Sequence, residues 1–134
     1  DKKIRVYRLE EAVDILFQKF IGRSNEVVVL MLLDSQSRML YCDVVNEGSV
    51  KEAPVYVRRI VSLALGYNAE SAILSHNHPS GNAIPSGGDI SVTQTVHHAL
   101  EAVDVLLRDH IIIAGENYLS MSHANIPSGL FEPF

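Results

Sequence analysis

Seven consecutive apolar residues, Val27 to Leu33, limit the folds open to this chain more than any other segment. Spanning a membrane takes about 20 such residues, so the run is far too short for that. It reads instead as a central β-strand covered on both faces, since a strand with one wet face alternates apolar and polar positions. A sheet buried on both sides needs further elements packed against each side.

The flanking sequence supplies them. Leu9, Val13, Leu16, Phe17 and Phe20 recur at three- and four-residue steps, so Leu9 to Ile21 is expected to form an amphipathic helix stopped by Gly22. Asp34-Ser35-Gln36-Ser37 reads as a turn, and Arg38 to Val45 as a returning strand. After a polar loop from Glu47 to Ala53, Pro54 suits the first turn of a helix reaching about Leu65. Ala72 to Ser75 reads as a short strand. A helix is expected from Asp89 to about Leu107, with Val92, Val96, Leu100, Val103 and Leu107 on one stripe. Strands Ile111 to Ala114 and Tyr118 to Met121 follow around a Gly115-Glu116-Asn117 turn. The order α-β-β-α-β-α-β-β predicts an α/β fold, a mixed sheet with helices packed on it.

With 134 residues, of which 47% are apolar, residues 1–134 are expected to form one domain with a real core. The net charge of −5 disfavours strong nucleic-acid binding. Lys2, Lys3, Arg5 and Arg8 crowd one end and Arg58-Arg59 sit together, and both groups read as solvated surface charge. Cys42 is the only cysteine, which rules out an internal disulfide and a cysteine-rich zinc cluster. It reads as a small core residue. Neither a membrane span nor a signal peptide is visible, so a cytoplasmic location is expected. The sequence carries no signal for oligomeric state.

Between Ser75 and Asp89 the texture changes to Ser-His-Asn-His-Pro-Ser-Gly-Asn-Ala-Ile-Pro-Ser-Gly-Gly-Asp. Such a Gly- and Pro-rich stretch is long for a connection. His76 and His78 are two apart where a strand emerges, so alternation points both rings the same way. Asp89, at a helix start, can add a carboxylate oxygen. Two imidazoles and one carboxylate would hold zinc with a fourth position left for water, the pattern of catalytic rather than structural sites. Each residue has an ordinary alternative: the histidines can face solvent, Asp89 can complement a helix dipole, and Ser86 can be a helix cap. Their joint spacing favours a metal.

His76-x-His78, seven residues, then Ser86-x-x-Asp89 resembles the JAMM (JAB/MPN) metalloprotease pattern in full. The string His-Asn-His-Pro-Ser-Gly and the later Asp109-His110-Ile111-Ile112-Ile113 are similar to the RadC branch of that family. The resemblance runs from about Glu26 to the C-terminus. It implies a cytidine-deaminase-like fold with zinc at one end of the sheet, ligated by His76, His78 and Asp89. It also implies a catalytic glutamate at the start of an early strand. Glu26 occupies that place, with Glu47 and Glu52 as rivals around Gly48; a carboxylate at the mouth of a buried strand is held more rigidly than one on a loop. Ser86 would donate to a developing oxyanion by the same resemblance. RadC proteins usually carry an upstream helix-hairpin-helix segment, for which this chain has no room, so a stand-alone domain is expected. One departure stands out: Val57-Arg58-Arg59 replaces the usual Pro-Arg-Glu.

The expected activity is zinc-dependent hydrolysis of an amide in a peptide or protein substrate, by water activated at the metal with Glu26 as general base. A zinc deaminase would need His-x-Glu and Pro-Cys-x-x-Cys, which one cysteine cannot supply. A DNA-repair accessory and a retired interaction domain on the same fold are the alternatives. Thr93, one turn after Asp89, is a candidate support for that ligand. His97, His98, His110 and His123 are expected to be structural, with His110 anchoring the motif loop.

Overall fold

A computed structural model describes residues 4–134; Lys2 and Lys3 of the N-terminal basic group lie outside these. Along the chain come α1 (Leu9–Phe20), β1 (Val28–Leu33), β2 (Met39–Asn46), α2 (Ala53–Gly66), β3 (Ser71–Asn77), α3 (Gly87–Glu101), β4 (Leu106–Ala114) and β5 (Asn117–Ser120). The five strands form one sheet in the order β2-β1-β3-β4-β5. β3 and β4 pair in parallel across the α3 crossover, and the other neighbours are antiparallel. This is the α/β architecture with a mixed sheet that the element order predicts.

All six residues of β1 are buried, as its unbroken apolar run requires. Alternation sends Val28, Leu30 and Leu32 to one face, where they meet Ala72 and Leu74 of β3 and the inner sides of α2 and α3. Val29, Met31 and Leu33 point the other way, against Leu9, Val13, Leu16 and Phe20 of α1. Two apolar clusters on opposite faces therefore lock β1 and β3 in register. Cys42 on the edge strand β2 is half-buried beside the α1 cluster, and burial pushes its thiol up to about 11.

Three elements differ from expectation at their boundaries in ways that matter for the site. β3 extends through His76 and Asn77, so the first motif histidine is inside the sheet, opposite Val28 of β1 and Ile112 of β4. α3 begins two residues earlier, at Gly87, with Ser86 as its N-cap, and ends at Glu101 rather than near Leu107. Asp104 breaks the chain there in a left-handed conformation (φ +60°). Val103, Val105 and Leu107 still pack with Leu100, which is why the apolar stripe outruns the helix. β4 is correspondingly longer, taking in Asp109 and His110, both buried.

Candidate metal centre

The C-terminal end of β3 meets the N-terminus of α3 on the α2/α3 side of the sheet. His76 shares that face with Ala72 and Leu74 and is fully buried. His78, two residues on, keeps the same direction, and its side chain is 18% exposed. Its backbone N–H still bonds Ile113 O (2.8 Å), which holds the first loop residue on β4. Asp89 comes from the first turn of α3 and is buried. Ser86 and Asp89 form a reciprocal capping box: the Ser86 hydroxyl accepts from Asp89 N–H (3.1 Å), and Ser86 N–H donates to Asp89 Oδ2 (2.9 Å). Capping explains the Ser-x-x-Asp spacing locally, and it also aims the carboxylate at the histidines.

The three side chains converge. His78 Nε2 is 2.9 Å from His76 Nε2 and 3.1 Å from Asp89 Oδ2, and His76 Nε2 is 3.4 Å from Asp89 Oδ1. One ligand atom from each lies within 4.8 Å of the others, a spacing that one metal ion can span. Burial pushes the His76 imidazole below its ordinary value, against the pull of Asp89, which favours the neutral form that metals bind. Burial would raise the Asp89 carboxyl, but the adjoining His76 ring, the Ser86 N–H and the His78 ring together hold it well below the carboxylate range.

Behind these three side chains lies a second layer. His76 Nδ1 is 2.7 Å from His110 Nε2, and His110 Nδ1 is 2.6 Å from Thr93 Oγ1. The Thr93 hydroxyl donates to the Asp89 backbone carbonyl (2.7 Å). His110 therefore holds the motif at its first histidine, inside β3, rather than along the loop that follows. Its burial pushes its pKa well below the usual value. Asp109 accepts from His110 N–H, Ser122 N–H and the Ser120 hydroxyl, tying β4 to the segment after β5. Sequence reading passed over Asn77 as well. It accepts from Val27 N–H (2.8 Å) and donates to Asn25 O (3.0 Å), fastening the segment that carries Glu26 to the end of β3. Polar residues inside otherwise apolar strands are the signal that could have found both, since buried polar groups need partners.

The three candidate carboxylates separate. Glu26 is half-buried two residues before Val28, the register partner of His76, and its charge favours the protonated form of His76. Glu47 pairs with Arg23 (2.7 Å) with most of its side chain in solvent. Glu52 accepts from Asn46 Nδ2 (2.9 Å) at the start of α2. Among the other histidines, His97 lies 3.7 Å from Glu101 and forms with His98 and Glu101 a more exposed second group of ligand type on α3. His123 is exposed. Arg58 and Arg59 are exposed on α2, as expected of surface charge.

A largely buried His-His-Asp cluster at one end of a mixed sheet defines an α/β domain with a candidate metal centre. Residues 6–126 match the family described as the RadC-like JAB domain, and the chain belongs to that family. Relatives include UPF0758 proteins of Herminiimonas arsenicoxydans (43% identical, 75% of this chain and 45% of the relative) and Idiomarina loihiensis (39% identical, 84% and 50%). A third, from a Polaromonas species, is 36% identical over 93% of this chain and 56% of its own length. The chain thus spans about half the length of these relatives.

Proposed function

We propose that this domain is a zinc-dependent hydrolase that cleaves a peptide or isopeptide amide bond. One observation carries the reading. The Asn82 carbonyl oxygen sits 2.8 Å from His78 Nδ1 and can only accept, so a neutral His78 carries its proton on Nδ1. Its Nε2 is then a bare lone pair facing the Asp89 carboxylate at 3.1 Å. Two acceptors at that distance repel unless a proton or a metal ion lies between them. A set of two imidazole nitrogens and one carboxylate oxygen suits zinc, and three protein ligands leave a coordination position free.

In such a setting zinc supplies Lewis-acid polarisation and lets water act as a hydroxide-strength nucleophile near pH 7. His76, His78 and Asp89 would hold it. Glu26, at the rigid mouth of β1, would take the proton of the attacking water and hand it to the leaving amine. The Ser86 hydroxyl accepts from Asp89 N–H, so its own proton is free to donate to the oxyanion of the substrate. The peptide or isopeptide class rests on the family resemblance.

Two measurements test this. Purified protein should hold about one zinc per chain at the buried site, and His78→Ala should lose it. His98→Ala is measured alongside, so that metal on the exposed α3 group is counted separately. A peptide and isopeptide library should then be cleaved with zinc and spared with chelator. Absence of zinc after zinc-supplemented growth would end the proposal.

A further inference from the structure

The contacts of His78 settle its tautomer, but those of His76 do not. With its proton on Nε2, His76 would donate into the cluster and block a metal. With its proton on Nδ1, the Nε2 lone pair is free to ligate. The deciding group lies two hydrogen bonds away. The backbone carbonyl of Asp89 can only accept, so the Thr93 hydroxyl donates to it at 2.7 Å. That hydroxyl has one proton, so toward His110 Nδ1, 2.6 Å away, it must accept. His110 therefore carries its proton on Nδ1 and bears a lone pair on Nε2. His76 Nδ1, 2.7 Å from that lone pair, must in turn be the donor. All four groups are buried, so no solvent competes for these bonds.

We propose that Thr93 and His110 are positioning residues that preset His76 as a ligand before any metal arrives. The chain of bonds starts on the backbone of one ligand, Asp89, and ends on the ring of another, His76. Folding of the first turn of α3 thus fixes both the place of the carboxylate and the lone pair of the imidazole. Asp109 accepts from the backbone N–H of His110. The inference rests on the metal reading above, but the tautomer it predicts belongs to the metal-free protein.

The test is the ¹⁵N NMR signature of His76 in metal-free wild-type protein, together with zinc affinity by competition against a chelator. The Nδ1–H tautomer is expected. Thr93→Val keeps the shape and removes the hydroxyl. His110 is then free to move its proton to Nε2, where it donates to His76 and shifts the His76 proton to its own Nε2. Zinc binding should weaken by about 10–100-fold, the usual cost of losing such support. Thr93→Ser restores a hydroxyl and should restore both tautomer and affinity. Thermal unfolding in chelator checks that each variant is folded. An Nε2–H tautomer in the wild type would overturn the proposal, as would a folded Thr93→Val that binds zinc as tightly as wild type. Should Thr93→Val not fold, the wild-type spectrum decides alone. Failure of wild type to bind zinc would end the hydrolase reading, while the spectrum would still decide this one.

Discussion

Glu26, Glu47 and Glu52 differ in what already occupies each carboxylate. Glu47 is committed to Arg23 in solvent and Glu52 to Asn46, whereas Glu26 lies half-buried two residues before the register partner of His76. If Glu26 handles only protons, Glu26→Gln keeps the zinc content near wild type while hydrolysis falls by roughly 10²–10⁴-fold. Glu47→Gln and Glu52→Gln should leave hydrolysis within a few-fold of wild type. Full activity in Glu26→Gln, with loss in either loop variant, would move the base to that loop. At this scale the motif residues were legible because their spacing is a consequence of local geometry. A two-residue step along a strand and a Ser-x-x-Asp cap each repeat in any chain that makes those turns. His110 was not legible as a partner of His76, because its contact comes from the parallel pairing of β3 and β4. Nothing local in Asp109-His110-Ile111 encodes that pairing.

The elements follow the same division. β1 could be read from composition alone, since an unbroken apolar run has few other fates. The end of α3 could not, because Val103, Val105 and Leu107 continue the apolar spacing while the chain has already turned at Asp104. The start of α3 carries a prediction. Ser86→Ala removes the acceptor for Asp89 N–H, so stability in chelator should fall by about 1 kcal/mol by chemical denaturation. Zinc affinity should fall too, since Asp89 loses part of what aims it. A drop in stability with unchanged affinity would make the cap a helix device only. β4 carries another, through Asp109. Burial raises its pKa above the ordinary 3.8, although Ser120, Ser122 and His110 all donate to it. The folded protein therefore holds this proton more tightly than the unfolded chain. The stability linked to Asp109 is complete below about the unfolded value and is lost as pH rises from there through the folded value. Asp109→Asn mimics the protonated form, so its stability relative to wild type should improve between pH 4 and pH 7. Urea denaturation in chelator at both values checks this, and a difference that stays flat or reverses would contradict it.

At the scale of the molecule, a metal at this centre would join the sheet to a helix, since His76 and His78 come from one end of β3 and Asp89 from α3. Among the described residues no helix is long and apolar enough to cross a membrane. The net charge of −5 leads us to expect no salt-sensitive binding of a short DNA duplex by this chain at physiological salt. Micromolar binding that weakens steeply with salt would revive the repair-accessory alternative. Such a cross-link would have a sharper consequence. A ligand that binds only the folded state stabilises it by about 2.7 kcal/mol when present at 100 times its dissociation constant. For a domain of this size that corresponds to a rise in melting temperature of roughly 10 °C. Wild-type protein should therefore melt about that much lower in chelator than in zinc. The two histidine variants separate the metal from the fold. His78 is partly exposed just past the end of β3, so His78→Ala should melt near chelated wild type and gain nothing from zinc. His76 is fully buried and bonded to His110, so His76→Ala leaves a cavity and an unpaired imidazole. It should melt below chelated wild type with or without zinc. Equal melting temperatures for the two variants in chelator would mean that His76 contributes to the fold only through a metal. A zinc-dependent rise that survives in His78→Ala would place the stabilising ion elsewhere, and the exposed His97, His98 and Glu101 group would be the first place to look.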